Sequence, residues 1–302
     1  MNGYFNILKP TGMSSAAVVA VLRRLTGVKR TGHAGTLDPD AAGVLPVMTG
    51  KATRLFDYLA DKEKEYVAVC AFGTATDTQD ASGTVTETGT VYPDRETFLR
   101  SAAALTGEIV QTPSMYSAIK VGGKPLYLRA RRGETIDVPQ RTVRIDRIEL
   151  IRMTEDHGFE IRVRCGRGTY IRTLCADLGR LCGCPAHMRS LIRTRSGVFR
   201  IEDAITPDQA KELADKGILA GRLLPPDYPL AHLPKTDVPA SLSRLVANGA
   251  RLPLTPETEA LPEGEPVRIY LDGQFWGIAA RREQELVWKA QIAPEEGPEE
   301  MK

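Results

Sequence analysis

No stretch of the chain approaches the roughly 18 consecutive apolar residues that cross a bilayer. The longest clean run, Ala16 to Leu22, is seven. The first residues, Met1-Asn2-Gly3-Tyr4-Phe5, lack the basic segment followed by an apolar one that marks a secretory leader, so a cytoplasmic protein is expected. Cysteines number only five, an odd count in 302 residues, which argues against a disulfide framework and fits a reducing compartment. There is no internal repeat and no low-complexity tract. Nor is there an excess of charge of one sign. Lys plus Arg is 40 and Asp plus Glu is 38, a net of +2, whereas nucleic-acid-binding domains are usually plainly basic. What is left is an ordinary globular composition, 42% hydrophobic and 26% charged, at a length that suggests two domains.

The balance changes when it is split along the chain. Residues 101–200 carry 18 Lys/Arg against 9 Asp/Glu, and residues 251–302 carry 6 against 11. All ten basic residues in 151–200 are arginines, the side chain best shaped for bidentate phosphate contacts. One reading is chance variation plus a solvated acidic tail. The other is a basic face for a polyanion, masked in the total by an acidic appendage.

Strands and helices alternate. Tyr4 to Leu8 reads as a strand ending at Lys9-Pro10-Thr11-Gly12, and Ser14 or Ser15 caps a helix over Ala16–Leu25 that stops at Gly27. Residues 30–50, rich in Gly, Pro and Thr, read as one long loop. Tyr66 to Ala71 reads as a buried strand, Asp94 opens a helix, and residues 111–141 form a second long connection. Val143–Ile151 and Phe159–Cys165 read as paired strands, followed by a helix over Tyr170–Leu181, a short helix after Pro185, and a last helix from Thr206-Pro207. After Pro225-Pro226 come three short strands, Val267–Leu271, Phe275–Ala280 and Leu286–Ile292, the first two joined by an Asp272-Gly273 hairpin turn.

The segment Gly32-His33-Ala34-Gly35-Thr36-Leu37-Asp38-Pro39-Asp40 onward to Pro46 holds carboxylates, a histidine and three glycines on backbone expected to be irregular. Read alone, it is either a turn in which Asp38 caps local amides, or a loop that lets a substrate approach an aspartate serving as nucleophile or base. Cys175, Cys182, Cys184 and His187 lie near one another in sequence, but the Cys175–Cys182 spacing fits no common zinc site. The Asp77-x-x-Asp80-x-x-Gly83 spacing likewise does not match the known calcium loop.

Six motifs in order carry a resemblance. They are Lys9-Pro10-Thr11-Gly12-Met13-Ser14-Ser15, Gly32 to Pro46, Lys64-Glu65-Tyr66, Gln111 to Lys120, Gly168-Thr169-Tyr170-Ile171-Arg172, and Leu191 to Gly197. Together they resemble the TruB family of pseudouridine synthases, which isomerise uridine 55 in the T loop of tRNA. The resemblance implies an α+β fold: a catalytic domain with a mixed, largely antiparallel sheet and flanking helices over 1–234, and a PUA-like β barrel over 235–293. An acidic tail, 294–302, would follow and be disordered. No cofactor or metal is implied, and the protein is expected to act as a monomer on tRNA without a protein partner or membrane.

Residue by residue, Asp38 matches the catalytic aspartate, which attacks C1′ or C6 of the nucleotide or removes a proton at C2′. Arg172 resembles the arginine that pairs with that carboxylate and would hold it ionised and aimed; on its own it would read as a solvated helix residue. Tyr66 resembles the tyrosine stacked on the target base, Tyr170 one that lines the same pocket, and Leu191 an apolar wall of the uracil site. His33 resembles the histidine that fills the space left by the flipped base. Asp80 and Lys9 fall in family motifs as supporting residues. The segment 113–140 resembles the inserted RNA-gripping element, with Lys120, Lys124, Arg129, Arg131, Arg132 and Arg141 as its phosphate contacts. Two other classes stay open on these residues: a non-catalytic RNA chaperone, and a related synthase working in a guide-RNA complex.

Overall fold

The computed structural model describes residues 1–59, 63–117, 119–130, 132–134 and 136–293; the expected acidic tail lies outside them. Strand β1 (Gly3–Lys9) leads into helix α1 (Ser15–Thr26). Ser14 Oγ accepts from the Ala17 amide to start that helix, and Gly27, at φ +69°, closes it. The expected loop over 30–50 is corrected: it contains β2 (Thr31–His33) and β3 (Ala42–Thr49), leaving only the stretch between them irregular. β3 is buried along nearly its whole length, so its apolar residues do not alternate, and Gly43 and Pro46 give it the look of a loop.

β4 (Lys64–Phe72) is followed by a small hairpin, β5 (Thr74–Thr76) and β6 (Val85–Thr88). Asp94 accepts from the Thr97 amide to cap α2 (Arg95–Ala104), and β7 (Gly107–Gln111) comes next. The following connection holds β8 (Lys120–Val121), β9 (Lys124–Pro125) and α3 (Leu126–Ala130). β10 (Arg141–Met153) and β11 (Gly158–Cys165) form the expected strand pair, and α4 (Ile171–Cys182) ends at Gly183. The short helix expected after Pro185 is instead an eleven-residue strand, β12 (Ala186–Ser196). Register shifts at Arg189 and Thr194 break its period of two, which hid the strand in the sequence. After β13 (Phe199–Arg200), a Thr206/Gln209 capping box with Pro207 in the first turn starts α5 (Pro207–Asp215). The C-terminal part contains β14 (Lys235–Asp237), α6 (Ser243–Ala247), β15 (Leu252–Pro253), α7 (Pro256–Glu259), β16 (Pro266–Leu271), β17 (Gln274–Arg282) and β18 (Glu285–Gln291).

These elements form two compact units, one of residues 1–39, 44–60 and 197–302 and the other of residues 40–43 and 61–196. In the first, β3 pairs with β1 and β2, and α1 and α5 close a core of Phe5, Ile7, Val18, Leu22, Leu45, Val47 and Ala210. Its C-terminal sheet has the order β14-β16-β17-β18-β15 around Val246, Leu252, Val267, Ile269 and Leu286. The hairpin at Asp272-Gly273 forms as read, with both residues at positive φ. A further cluster joins Tyr4, Val44, Leu55 and Phe199 to Ile278, Ala290 and Ile292, so the C-terminal sheet shares a core with the N-terminal strands.

In the second unit, β12, β4, β11, β10 and β7 lie side by side and antiparallel, and Ala42 and Gly43 pair in parallel with Ile192 and Arg193 at the β12 edge. One face of this sheet carries Cys70, Ala68 and Tyr66 from β4 opposite Phe159, Ile161 and Val163 from β11. Helices α2 and α4 pack on that face. The Phe98 ring stacks on Phe159 at 4.4 Å, and Cys70 Sγ donates to the Cys175 carbonyl. The other face is charged, with Arg162 reaching Glu149 (3.5 Å) and Glu65 (3.9 Å) across neighbouring strands.

Candidate active site

The backbone around Asp38 is gripped on both sides. The Leu37 amide donates to Ser15 Oγ (2.9 Å), and the same hydroxyl donates to the Leu37 carbonyl (2.9 Å). On the other side the Pro39 carbonyl accepts from the Gly12 amide (2.9 Å) and from Lys9 Nζ (3.0 Å). Lys9 is wholly buried, and its ammonium also donates to the carbonyls of Pro10 (2.8 Å) and Met13 (2.6 Å). The two motifs, Lys9–Ser15 and Gly32–Pro46, are thus one structure: the first holds the backbone of the second. Leu37 is buried while Asp38 is half exposed, so the aspartate stands on a fixed base. Two residues further on, the chain enters the second unit, where Ala42 and Gly43 join the edge of β12. His33 ends β2, paired with Val47, and is half buried.

The second unit gathers Arg172, Asp80, Tyr170, Tyr66 and Leu191. Arg172 lies in the first turn of α4, is buried to 6% exposure, and donates from Nη1 to the Thr78 carbonyl and from Nη2 to the Tyr116 carbonyl, each at 3.1 Å. Asp80 Oδ2 stands 3.4 Å from Nη1. Asp80 is in turn held by Thr78 Oγ1 (2.7 Å) and by the amide (3.0 Å) and hydroxyl (2.6 Å) of Ser82. Tyr170 occupies the N-cap of α4, where its own side chain makes no capping hydrogen bond. Its backbone is held from outside the helix: Gln111 accepts from the Tyr170 amide (3.0 Å) and donates to its carbonyl (3.2 Å). The Arg141 guanidinium lies over the Tyr170 ring at 5.5 Å.

Tyr66 and Leu191 sit on the helix-covered face of the sheet. Tyr66 is opposite Arg193 and Ala68 opposite Leu191, so the tyrosine and leucine are diagonal neighbours on adjacent strands. Both are buried. Arg193, also wholly buried, shares that face. Sequence reading gave no role to Gln111 or Tyr116, although both lie in a quoted motif. A buried glutamine at the end of a strand is a usable signal, because such an amide must find two partners.

The basic residues divide by position. Lys124 and Arg132 are exposed on the insertion, and Lys120 begins β8. Arg129 folds back to donate to the Val121 carbonyl (3.1 Å) and faces Glu134 at 3.9 Å. Arg131 lies outside the described residues. The arginine-rich stretch 151–200 is not a bare cationic face, contrary to what its composition suggested. Arg152, Arg162, Arg164, Arg172, Arg180, Arg189 and Arg195 each stand beside a carboxylate, namely Glu160, Glu149, Glu65, Asp80, Asp177, Asp156 and Glu63.

Among the described residues no three His, Cys, Asp or Glu side chains are grouped so as to hold a metal ion. Cys182 Sγ meets Ser101 Oγ, Cys184 Sγ the Pro185 carbonyl, and His187 Nδ1 the Thr74 carbonyl. Burial pushes the Cys165 thiol up to about 11 and raises Cys182 and Cys184 as well, leaving little thiolate at neutral pH.

A sequence model described as the TruB family pseudouridylate synthase N-terminal domain matches residues 23–171, and one described as the tRNA pseudouridylate synthase B C-terminal domain matches 172–231. A tRNA pseudouridine synthase B of Alkaliphilus oremlandii is 40% identical over 287 residues, covering 94% of this chain and 95% of the relative. One of Geobacillus kaustophilus is 44% identical over 285 residues, covering 91% and 99%. Among solved structures, an H/ACA RNP bound to a substrate RNA containing 2′-deoxyuridine superimposes with a TM-score of 0.71 at 25% identity, covering 97% of this chain and 85% of that one. A Cbf5-Nop10-Gar1 complex gives 0.69 at 27% identity, covering 97% and 84%.

Proposed function

The chain belongs to the TruB family of pseudouridylate synthases, and on that premise we propose that it converts uridine 55 in the T loop of tRNA to pseudouridine. The reaction breaks the N1–C1′ bond and forms a C5–C1′ bond, while C5 gives up a proton and N1 gains one. Nothing is oxidised or reduced, so the chemistry calls for a positioned carboxylate and a dry pocket rather than a redox partner. The observation that carries the reading is the doubly anchored backbone at Leu37–Pro39, which presents the Asp38 carboxylate on a rigid mount, as an activated group requires.

Asp38 acts on the nucleotide, with the Arg172 guanidinium as its counter-charge and Asp80 orienting that arginine. Tyr66 stacks on the extruded uracil, Tyr170 and Leu191 wall its pocket, and His33 occupies the gap in the loop. Lys9 keeps the mount rigid. The insertion 113–140 grips phosphates through Lys124 and Arg132, joined by Lys120, Arg129, Arg131 and Arg141 when RNA is bound. Residues 1–234 form the catalytic domain, and the PUA-like module 235–293 completes its core. The enzyme works as a monomer in the cytoplasm.

Purified protein incubated with an unmodified tRNA transcript and no other component should form pseudouridine at position 55. Asp38→Asn should abolish turnover while tRNA affinity stays within a few-fold. Turnover by that variant refutes the assignment of Asp38. Conversion only after a second RNA is added indicates a guide-dependent synthase, and binding without conversion indicates a chaperone.

A further inference from the structure

The guanidinium of Arg172 is held in a closed circuit. Its Nη1 donates to the Thr78 carbonyl and its Nη2 to the Tyr116 carbonyl. The Tyr116 hydroxyl reaches back 3.2 Å to Asp77 Oδ2, and Asp77 is joined to Thr78 by the chain. The other oxygen of Asp77 accepts from the Thr84 amide at 2.8 Å, which locks the turn carrying Asp77, Thr78 and Asp80. Tyr116 therefore grips the arginine with its main chain and the arginine's turn with its side chain.

Position in the chain gives the circuit its meaning. Tyr116 lies five residues beyond the end of β7, at the root of the basic insertion. The same root supplies Gln111, which holds the backbone of Tyr170. Tyr170 and Arg172, on either side of the first residue of α4, are thus held from the segment that carries the insertion. The carboxylate of Asp77 raises the phenol pKa of Tyr116 by its charge and by accepting its hydrogen bond, which keeps the hydroxyl protonated and a donor.

We propose that Tyr116 is a positioning residue for the isomerisation, coupling the root of the RNA-gripping insertion to the guanidinium of Arg172. This rests on the functional reading above, in which the insertion holds RNA and Arg172 serves the carboxylate. RNA held on the insertion is thereby registered to the arginine, so the cost of losing the latch falls on the rate rather than on affinity.

The test measures single-turnover conversion of unmodified tRNA transcript and tRNA affinity for wild type, Tyr116→Phe, Asp77→Asn and the double variant. Tyr116→Phe removes one oxygen, and Asp77→Asn approaches the same bond from the acceptor side while keeping an oxygen for the Thr84 amide. Each single variant should lower the rate about tenfold, as expected for one hydrogen bond to a charged acceptor, with affinity within about twofold. The double variant should be no slower than the slower single one, because both changes act on the same contact, Asp77→Asn by replacing its charged acceptor with an amide. A Tyr116→Phe rate within twofold of wild type overturns the inference, as do rate losses that multiply in the double variant. If wild type itself does not convert the transcript, the functional reading has failed and the inference falls with it.

Discussion

Gly43 lies so close to Arg193 that a β-carbon on the glycine would stand 2.2 Å from the Arg193 carbonyl oxygen and 2.5 Å from its nitrogen. Both contacts are backbone, so neither can swing aside. Gly43 also has φ +117°, a conformation that L side chains rarely adopt. This crossing is where the chain leaving Asp38 joins the edge of β12.

Gly43→Ala should therefore destabilise the protein by about 3 kcal/mol or more, from strain and overlap together. A thermal midpoint lower by roughly 10 °C is the expected reading. Gly32→Ala is the contrast, because the nearest atom is Met48 Cε at 4.0 Å. It should stay within about 0.5 kcal/mol of wild type. Equal losses from the two substitutions in urea unfolding would contradict this account.

Lys9→Met keeps the aliphatic stem but withdraws the ammonium from three carbonyl oxygens in a wholly buried site. The Pro39 carbonyl keeps the Gly12 amide as a donor, but the bonds to Pro10 and Met13 are lost without replacement, which should cost about 3 kcal/mol. Lys9→Arg should not restore the loss, since a planar fork cannot converge on three oxygens around one point. Urea denaturation reports the stability. Full stability of Lys9→Met would show that the clamp contributes nothing, and full stability of Lys9→Arg would show that its point geometry is not required.

Glu65 provides a pH-dependent test. Burial raises its pKa, but hydrogen bonds from Arg164 and Thr194 and the nearby arginine charges outweigh that and leave it below the usual carboxylate value. A folded-state pKa below the unfolded one means that its stabilisation is present above about pH 4.3 and is lost as pH falls through the lower native value. Glu65→Gln should cost about 1 kcal/mol at pH 7. The gap from wild type should close below roughly pH 4 and narrow in high salt. A gap that persists unchanged in acid would mean the ion pairs are not its source.

Much of the fold was legible because it is locally encoded. Ser14, Asp94 and Thr206 cap helices where their side chains reach the next free amides, and Gly27 and Asp272-Gly273 stop or turn the chain where positive φ is needed. β3 and β12 were not legible for opposite reasons. The first is buried on both faces and does not alternate, and the second alternates but is interrupted twice by register shifts. Counting charge by segment also misled, because Glu63, Glu65 and Asp80, which neutralise arginines of 151–200, come from before residue 101.

The sequence by itself determined the order of the motifs, the family they imply, the helix ends and the hairpin turns, all of which depend on residues a few positions apart. Tertiary structure alone decided what holds the site. The partners of Arg172 lie 94 residues away at Thr78 and 56 away at Tyr116, and Lys9 meets Pro39 across 30 residues. Such bonds depend on strand register and on which chain ends the sheet brings together, and no local preference of the backbone specifies either.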